Sequence, residues 1–116
     1  MRATISVGIV DDHEIAKLNR EFLKHRGTTD CLSFDLSDNP ARRRGAVFDL
    51  IVNGEMARRQ AAERGHSSGA ELALYVTHAL LHQLDFNDTD AKSAAEMHRT
   101  EDEILQYFGY GSVYNT

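Results

Sequence analysis

His78 and His82 stand four residues apart in the apolar stretch THALLHQLDFND, residues 77 to 88, and Asp88 closes it. On an α-helix such a pair projects from one face, about 6 Å apart along the axis, so a single metal ion can reach both imidazoles. If the helix ends near Leu84, the DFND segment turns back and Asp88 becomes a third ligand arriving from outside the helix. Three protein ligands leave one position for water, which is what a catalytic zinc site needs; structural sites are usually closed by four. The same residues also fit a core helix that merely contains imidazoles. Against that stands the cost of burying two polar rings in the most apolar helix of the chain without partners. The other histidines, His13, His25, His66 and His98, fall in polar stretches and read as surface residues. Met97, at helical spacing among apolar neighbours, reads as core rather than as a sulfur beneath the metal.

The residue after the first histidine narrows the chemistry. Metalloproteases of the His-Glu-x-x-His kind need a glutamate there as general base, and this chain has Ala79. Ala79 argues against peptide hydrolysis by that route but not against metal binding. The net charge of -5 argues against a protein that coats nucleic acid non-specifically, since that mode depends on many contacts from Lys and Arg to phosphate. A local basic cluster, Arg42 to Arg44 beside Pro40, reads as a solvated loop that can still touch RNA. One cysteine, Cys31, allows no internal disulfide, and no long apolar run or leader-like segment appears, so the chain is expected in the cytoplasm and away from membranes.

Holding those residues in place requires a core, and 116 residues with 41% hydrophobic content suffice for one domain, taken as 1 to 116. ATISVGIV alternates Ile5, Val7 and Ile9 as a half-buried strand does. DDHEIAKLNREFLKHRG follows as a helix, with Asp11 as N-cap, Ile15, Leu18 and Phe22 on one face, and Gly27 as its stop. CLSF and VFDLIV read as two further strands. Asn53 caps a short helix ending near Gly65. Ser68 with Glu71 makes a capping box for the apolar helix that carries the histidine pair, which must lie buried in the middle of the fold. The last helix runs from about Asp90 to Phe108, with Ala94, Met97, Ile104, Leu105 and Phe108 inward and Gly109 closing it. The expectation is α+β: a small mixed sheet of three or four strands packed with about four helices.

VTHALLHQLDFND resembles the His-Gly-x-Leu-His-Leu-x-Gly-Tyr-Asp-His signature of the YbeY family, bacterial endoribonucleases and ribosomal RNA maturation factors. VDDHEIAKLNREFLKHRGTTDCLSF is similar to the family's strand and helix leading to an Arg-Gly pair and a Thr-Asp-x-Leu-Ser-Phe strand. FDLIV sits where the family has Gly-Asp-Ile-Val-Ile, and EMHRTEDEIL where its final helix carries a Glu-Met and a later glutamate. The four segments come in the right order between about Ile5 and Gly109.

The resemblance implies an α+β domain holding one Zn2+ and a metal-dependent endoribonuclease that cleaves single-stranded RNA, small-subunit ribosomal RNA above all, with ribosomal proteins as further partners. It puts the metal ligands at His78, His82 and Asp88, and the catalytic basic residue at Arg26, which precedes Gly27. Departures are visible: Asp88 replaces the family's third histidine, Ala79 and Asp85 its two glycines, and Phe86-Asn87 its Tyr-Asp pair, while the chain begins near the family's second strand. A carboxylate is an accepted zinc ligand, but two histidines and one carboxylate also suit other divalent transition metals. Asp85 must make the helix-ending turn, and Asp tolerates the left-handed region better than most residues. Two other readings of the chain stay open at this point: a non-catalytic ribosome-assembly factor whose metal is structural, and a metallohydrolase of another substrate.

Overall fold

The central strand of the sheet is the most apolar one. The structure, a computed structural model, describes residues 3–37 and 46–110, so the arginine cluster at 42–44 lies outside the described residues. Strand β1 (Ala3–Val10) leads to helix α1 (Asp12–Leu23), strands β2 (Cys31–Asp35) and β3 (Ala46–Asn53), then helices α2 (Gly54–Arg64), α3 (Ser68–Gln83) and α4 (Ala91–Tyr107). The strand order is β1-β3-β2, with β1 parallel and β2 antiparallel to β3. A parallel neighbour needs a crossover, which α1 and β2 supply between β1 and β3. This is the mixed α+β architecture expected from the sequence.

β3 alternates fully buried Ala46, Phe48, Leu50 and Val52 with half-buried Val47, Asp49 and Ile51. α3 lies over β2 and β3 and closes the first of those faces: Ala79 packs with Ala46, Phe48 and Leu50. Burying a side chain such as Phe48 or Leu50 contributes about 1.5–3 kcal/mol each, so this face fixes how deep α3 sits. Ala70, Leu74 and Tyr75 on α3, Ala57 on α2 and Leu105 on α4 gather around Val52 as a second cluster. The histidine helix is central, as its all-round apolarity required.

Several boundaries differ from the sequence reading. The N-cap of α3 is Ser67, whose hydroxyl accepts from the Ala70 N–H; Ser68 is already helical, and Glu71 is buried instead of completing a capping box. α1 is stopped by Lys24 at φ +59°, before Gly27. Phe22 and Phe108, expected inward, are exposed; Phe22 meets Phe34 edge-on at 5.8 Å. Ile5, Val7 and Ile9 pair in register with Phe48, Leu50 and Val52 and so share their face, yet they are 43%, 48% and 64% exposed. The helices that cover β2 and β3 stop short of this edge strand.

Candidate metal centre

The end of α3 is what delivers the third candidate ligand. Asp85 adopts φ +70°, and the Phe86 N–H donates to the Leu81 carbonyl at 3.0 Å. That pairing across a left-handed residue is a Schellman closure, which turns the chain sharply back. Asn87 Oδ1 then accepts from the N–H and hydroxyl of Thr89 at 3.3 and 2.8 Å, holding the segment around Asp88. Gln83 ties the same helix end to the sheet by donating to Ser33 Oγ at 2.9 Å. As a result His78, His82 and Asp88 each present one ligand atom, all within 4.8 Å of one another. The three residues singled out in the sequence are brought together.

The two Nε2 atoms are 3.0 Å apart, with the rings at 84° and centroids 4.6 Å apart. Bonds of about 2.1 Å at tetrahedral angles separate ligand atoms by roughly 3.4 Å, so slight opening of the histidine pair, with the carboxylate free to draw in, fits a zinc-sized ion. Two imidazoles and a carboxylate are also a chemically suitable donor set. His78 is half-buried while His82 and Asp88 are exposed, so the site is open to solvent on one side.

Behind His78 stands Glu101 of α4, fully buried. His78 Nδ1 lies 2.8 Å from one Glu101 oxygen, and His98 Nδ1 lies 2.7 Å from the other. A carboxylate only accepts, so both Nδ1 atoms carry hydrogens, and in the neutral ring His78 Nε2 is left bare. The Nε2 atoms of His78 and His82 then share one hydrogen, and a cation bound there takes its place. Burial alone would pull the His78 pKa down; the Glu101 hydrogen bond and the charges of Glu101, Asp30 and Asp88 outweigh it and leave it raised. His98 is therefore not an ordinary surface residue, and neither is His66, whose Nε2 lies 2.6 Å from the buried Glu71, which also accepts from Arg64 at 3.0 Å. His13 and His25 are exposed as expected.

Arg26 lies on the segment between α1 and β2, exposed and without a hydrogen bond or ion pair to another described residue. It is not part of the ligand group, but its segment ends at Asp30, whose charge bears on His78. Asp30 is held by the Cys31 N–H at 2.7 Å on its side chain and by the Asn53 N–H at 2.8 Å on its carbonyl. A cavity of about 330 Å3 opens here, bounded by Thr29, Asp30, Gln60, Tyr75, His78 and His98. Glu101 and Asp30 were missed as parts of the site because nothing local in the sequence links them to His78; the later glutamate of EMHRTEDEIL was the one available signal.

Comparison with known proteins agrees with the geometry. The family model described as endoribonuclease YbeY matches residues 1–109. The chain is 39% identical over 110 residues to an endoribonuclease YbeY of Synechococcus sp. (strain CC9605), covering 87% of this chain and 64% of that protein. It is 35% identical over 103 residues to that of Myxococcus xanthus (strain DK1622), covering 87% of this chain and 35% of the relative, and 36% identical over 115 residues to that of Moorella thermoacetica, covering 92% and 74%. The chain thus spans between about a third and three quarters of the length of these relatives. A solution structure from Thermotoga maritima shares the fold with a TM-score of 0.59 at 21% identity, over 92% of this chain and 71% of that one.

Proposed function

Since this chain belongs to the YbeY family, we propose that it is a metal-dependent endoribonuclease acting on single-stranded RNA, in the maturation of small-subunit ribosomal RNA in the cytoplasm. The observation that carries the reading is the convergence of His78, His82 and Asp88 within 4.8 Å at a solvent-open position. Zn2+ is the proposed ion. When bound, it would supply Lewis acidity toward a phosphoryl oxygen and acidify a water molecule.

The chain's own residues do the rest. His78 and His82 orient their Nε2 atoms from one face of a helix anchored in the core, and Asp88 closes the grip from the turn. Asp88 also brings a negative charge that a third imidazole would not, which reduces the site's attraction for phosphate. Arg26 is the proposed catalytic residue: its guanidinium matches two phosphate oxygens and would offset the charge that grows on the phosphorane. An open site beside a cavity of about 330 Å3 suits a splayed strand with an unstacked base better than a duplex, whose recognition needs a broad contact surface. Among the described residues no helix is long and apolar enough to cross a membrane.

The test is cleavage of a labelled single-stranded RNA by protein carrying stoichiometric Zn2+, measured beside chelated protein and the Asp88→Ala and Arg26→Ala variants. Cleavage that chelation abolishes, and that both substitutions lower at least tenfold, is expected. Purified protein that takes up no transition metal, or cleavage that survives chelation, would overturn the reading.

A further inference from the structure

The structure assigns Glu101 as the residue that positions the metal-binding face of His78, with His98 fixing Glu101 in turn. This inference rests on the metal-site reading above and deepens it. A fully buried carboxylate is costly unless each oxygen is paired, and here each oxygen takes one imidazole Nδ1, at 2.8 Å from His78 and 2.7 Å from His98. The two imidazoles come from different helices, α3 and α4, and His98 sits one turn before Glu101 on its own helix. That arrangement settles three properties of His78 at once. Its hydrogen is placed on Nδ1, its lone pair on Nε2, and its ring plane is locked so that Nε2 points at His82 and Asp88.

A glutamate that merely filled space would need no imidazole on its second oxygen, nor the first one turned Nδ1-inward. His98 is a quarter exposed on its side chain, so the chain of contacts runs from the metal position through a buried carboxylate to the surface beside the cavity that His78 and His98 both line. The second imidazole keeps the carboxylate from rotating away from His78. Partners of this kind behind a ligating histidine typically carry 10–100-fold in metal affinity.

The experiment measures Zn2+ and Co2+ binding by competition with a chromophoric chelator, together with nitrogen-15 long-range correlation spectra of the histidines, on full-length protein. In the metal-free parent His78 should appear as the Nδ1-protonated tautomer. Glu101→Gln should retain the fold by circular dichroism, weaken Zn2+ by about tenfold or more, shift His78 toward mixed tautomers and alter the cobalt visible absorption band. His98→Gln should weaken Zn2+ by less, a few-fold. Should Glu101→Gln fail to fold, Glu101→Asp, which shortens the reach by one methylene, takes its place with the same expectation. An Nε2-protonated His78 in the parent, or a folded Glu101 variant within twofold of the parent's affinity, overturns the assignment. His78→Ala separates the two levels: if it binds Zn2+ as well as the parent, the metal site itself is wrong, whereas if it loses binding while Glu101→Gln keeps it, only the positioning role falls.

Discussion

Replacing Asn53 by alanine should cost about 3 kcal/mol, although the residue is neither a ligand nor near the histidines. Asn53 is fully buried at the junction of β3 and α2. Its Oδ1 accepts from the Met56 N–H at 3.0 Å as the N-cap of α2, and its Nδ2 donates to Asp12 Oδ1 at 2.7 Å, Thr28 Oγ1 at 3.1 Å and the Thr29 carbonyl at 3.2 Å. Losing the cap costs about 1 kcal/mol. Leaving the Thr29 carbonyl, the inner partner of this buried amide, without a replacement costs about 1–3 kcal/mol more. The bonds to Asp12 and to the exposed Thr28 are left out of that sum because water can substitute for them at the surface. For a chain of this length 1 kcal/mol moves Tm by about 4 °C, so scanning calorimetry should find Asn53→Ala lower by about 12 °C. Asn53→Asp keeps the cap acceptor but sets a carboxylate against Asp12, so it should be worse than alanine at pH 7 and recover relative to it as pH falls toward 4. A Tm drop under about 3 °C for Asn53→Ala, or an Asn53→Asp variant as stable as the parent at pH 7, would show that this network does not hold the segment leading to Asp30.

Two smaller expectations come from the same geometry. Asp85→Gly puts glycine at a left-handed position, φ +70°, where glycine is preferred, so the helix-ending turn should persist with Zn2+ affinity unchanged; a loss of affinity would show that the Asp85 side chain, and not the backbone turn, places Asp88. The Asp12 carboxyl is held far below its ordinary range by hydrogen bonds, chiefly from Arg59 at 2.6 Å and then from Asn53. Its contribution is complete above the unfolded value near about 3.9 and is lost as pH falls through the folded one, so the Tm gap between the parent and Arg59→Met should hold steady from neutrality to about pH 4 and shrink progressively below it; a gap that widens in acid sinks this account.

How much of this was legible depended on whether a residue's role is local. The convergence of His78, His82 and Asp88 was, because i, i+4 spacing on an apolar helix fixes two side chains and the turn at Asp85 lies within reach of the third. Asn53 and Asp11 as caps were legible for the same reason, each bonding to an N–H three residues on. Adjacent serines made Ser67 and Ser68 interchangeable on paper, and only the backbone at Ser67, φ -75° and ψ 154°, decides between them. Glu101 was not legible as the partner of His78, which is 23 residues away on another helix. Nor could alternation in β1 tell an edge strand from a central one: the pattern states that Ile5, Val7 and Ile9 share a face, while the reach of the covering helices decides whether that face meets anything.

The charge around the site puts a constraint on the role proposed for Arg26. Asp88 belongs to the candidate ligand group, Glu101 stands behind His78 and Asp30 lines the cavity beside it, and the charges of all three act on His78. Their sum exceeds the ion's charge by one, so a phosphodiester approaching the loaded site meets a balance that is unfavourable without a cationic side chain. Two arginines of α2 are committed elsewhere, Arg59 to Asp12 and Arg64 to the buried Glu71. Arg26, on the segment that ends in Asp30 and without a carboxylate partner among the described residues, is a guanidinium whose charge is still available. On the proposed role, a carboxylate in place of the third imidazole would shift more of the phosphate recognition onto Arg26, and Asp88→His should make RNA binding less sensitive to Arg26→Ala than it is in the parent. Equal losses on removing Arg26 in both backgrounds would mean that the guanidinium and the metal site do not act on the same phosphate.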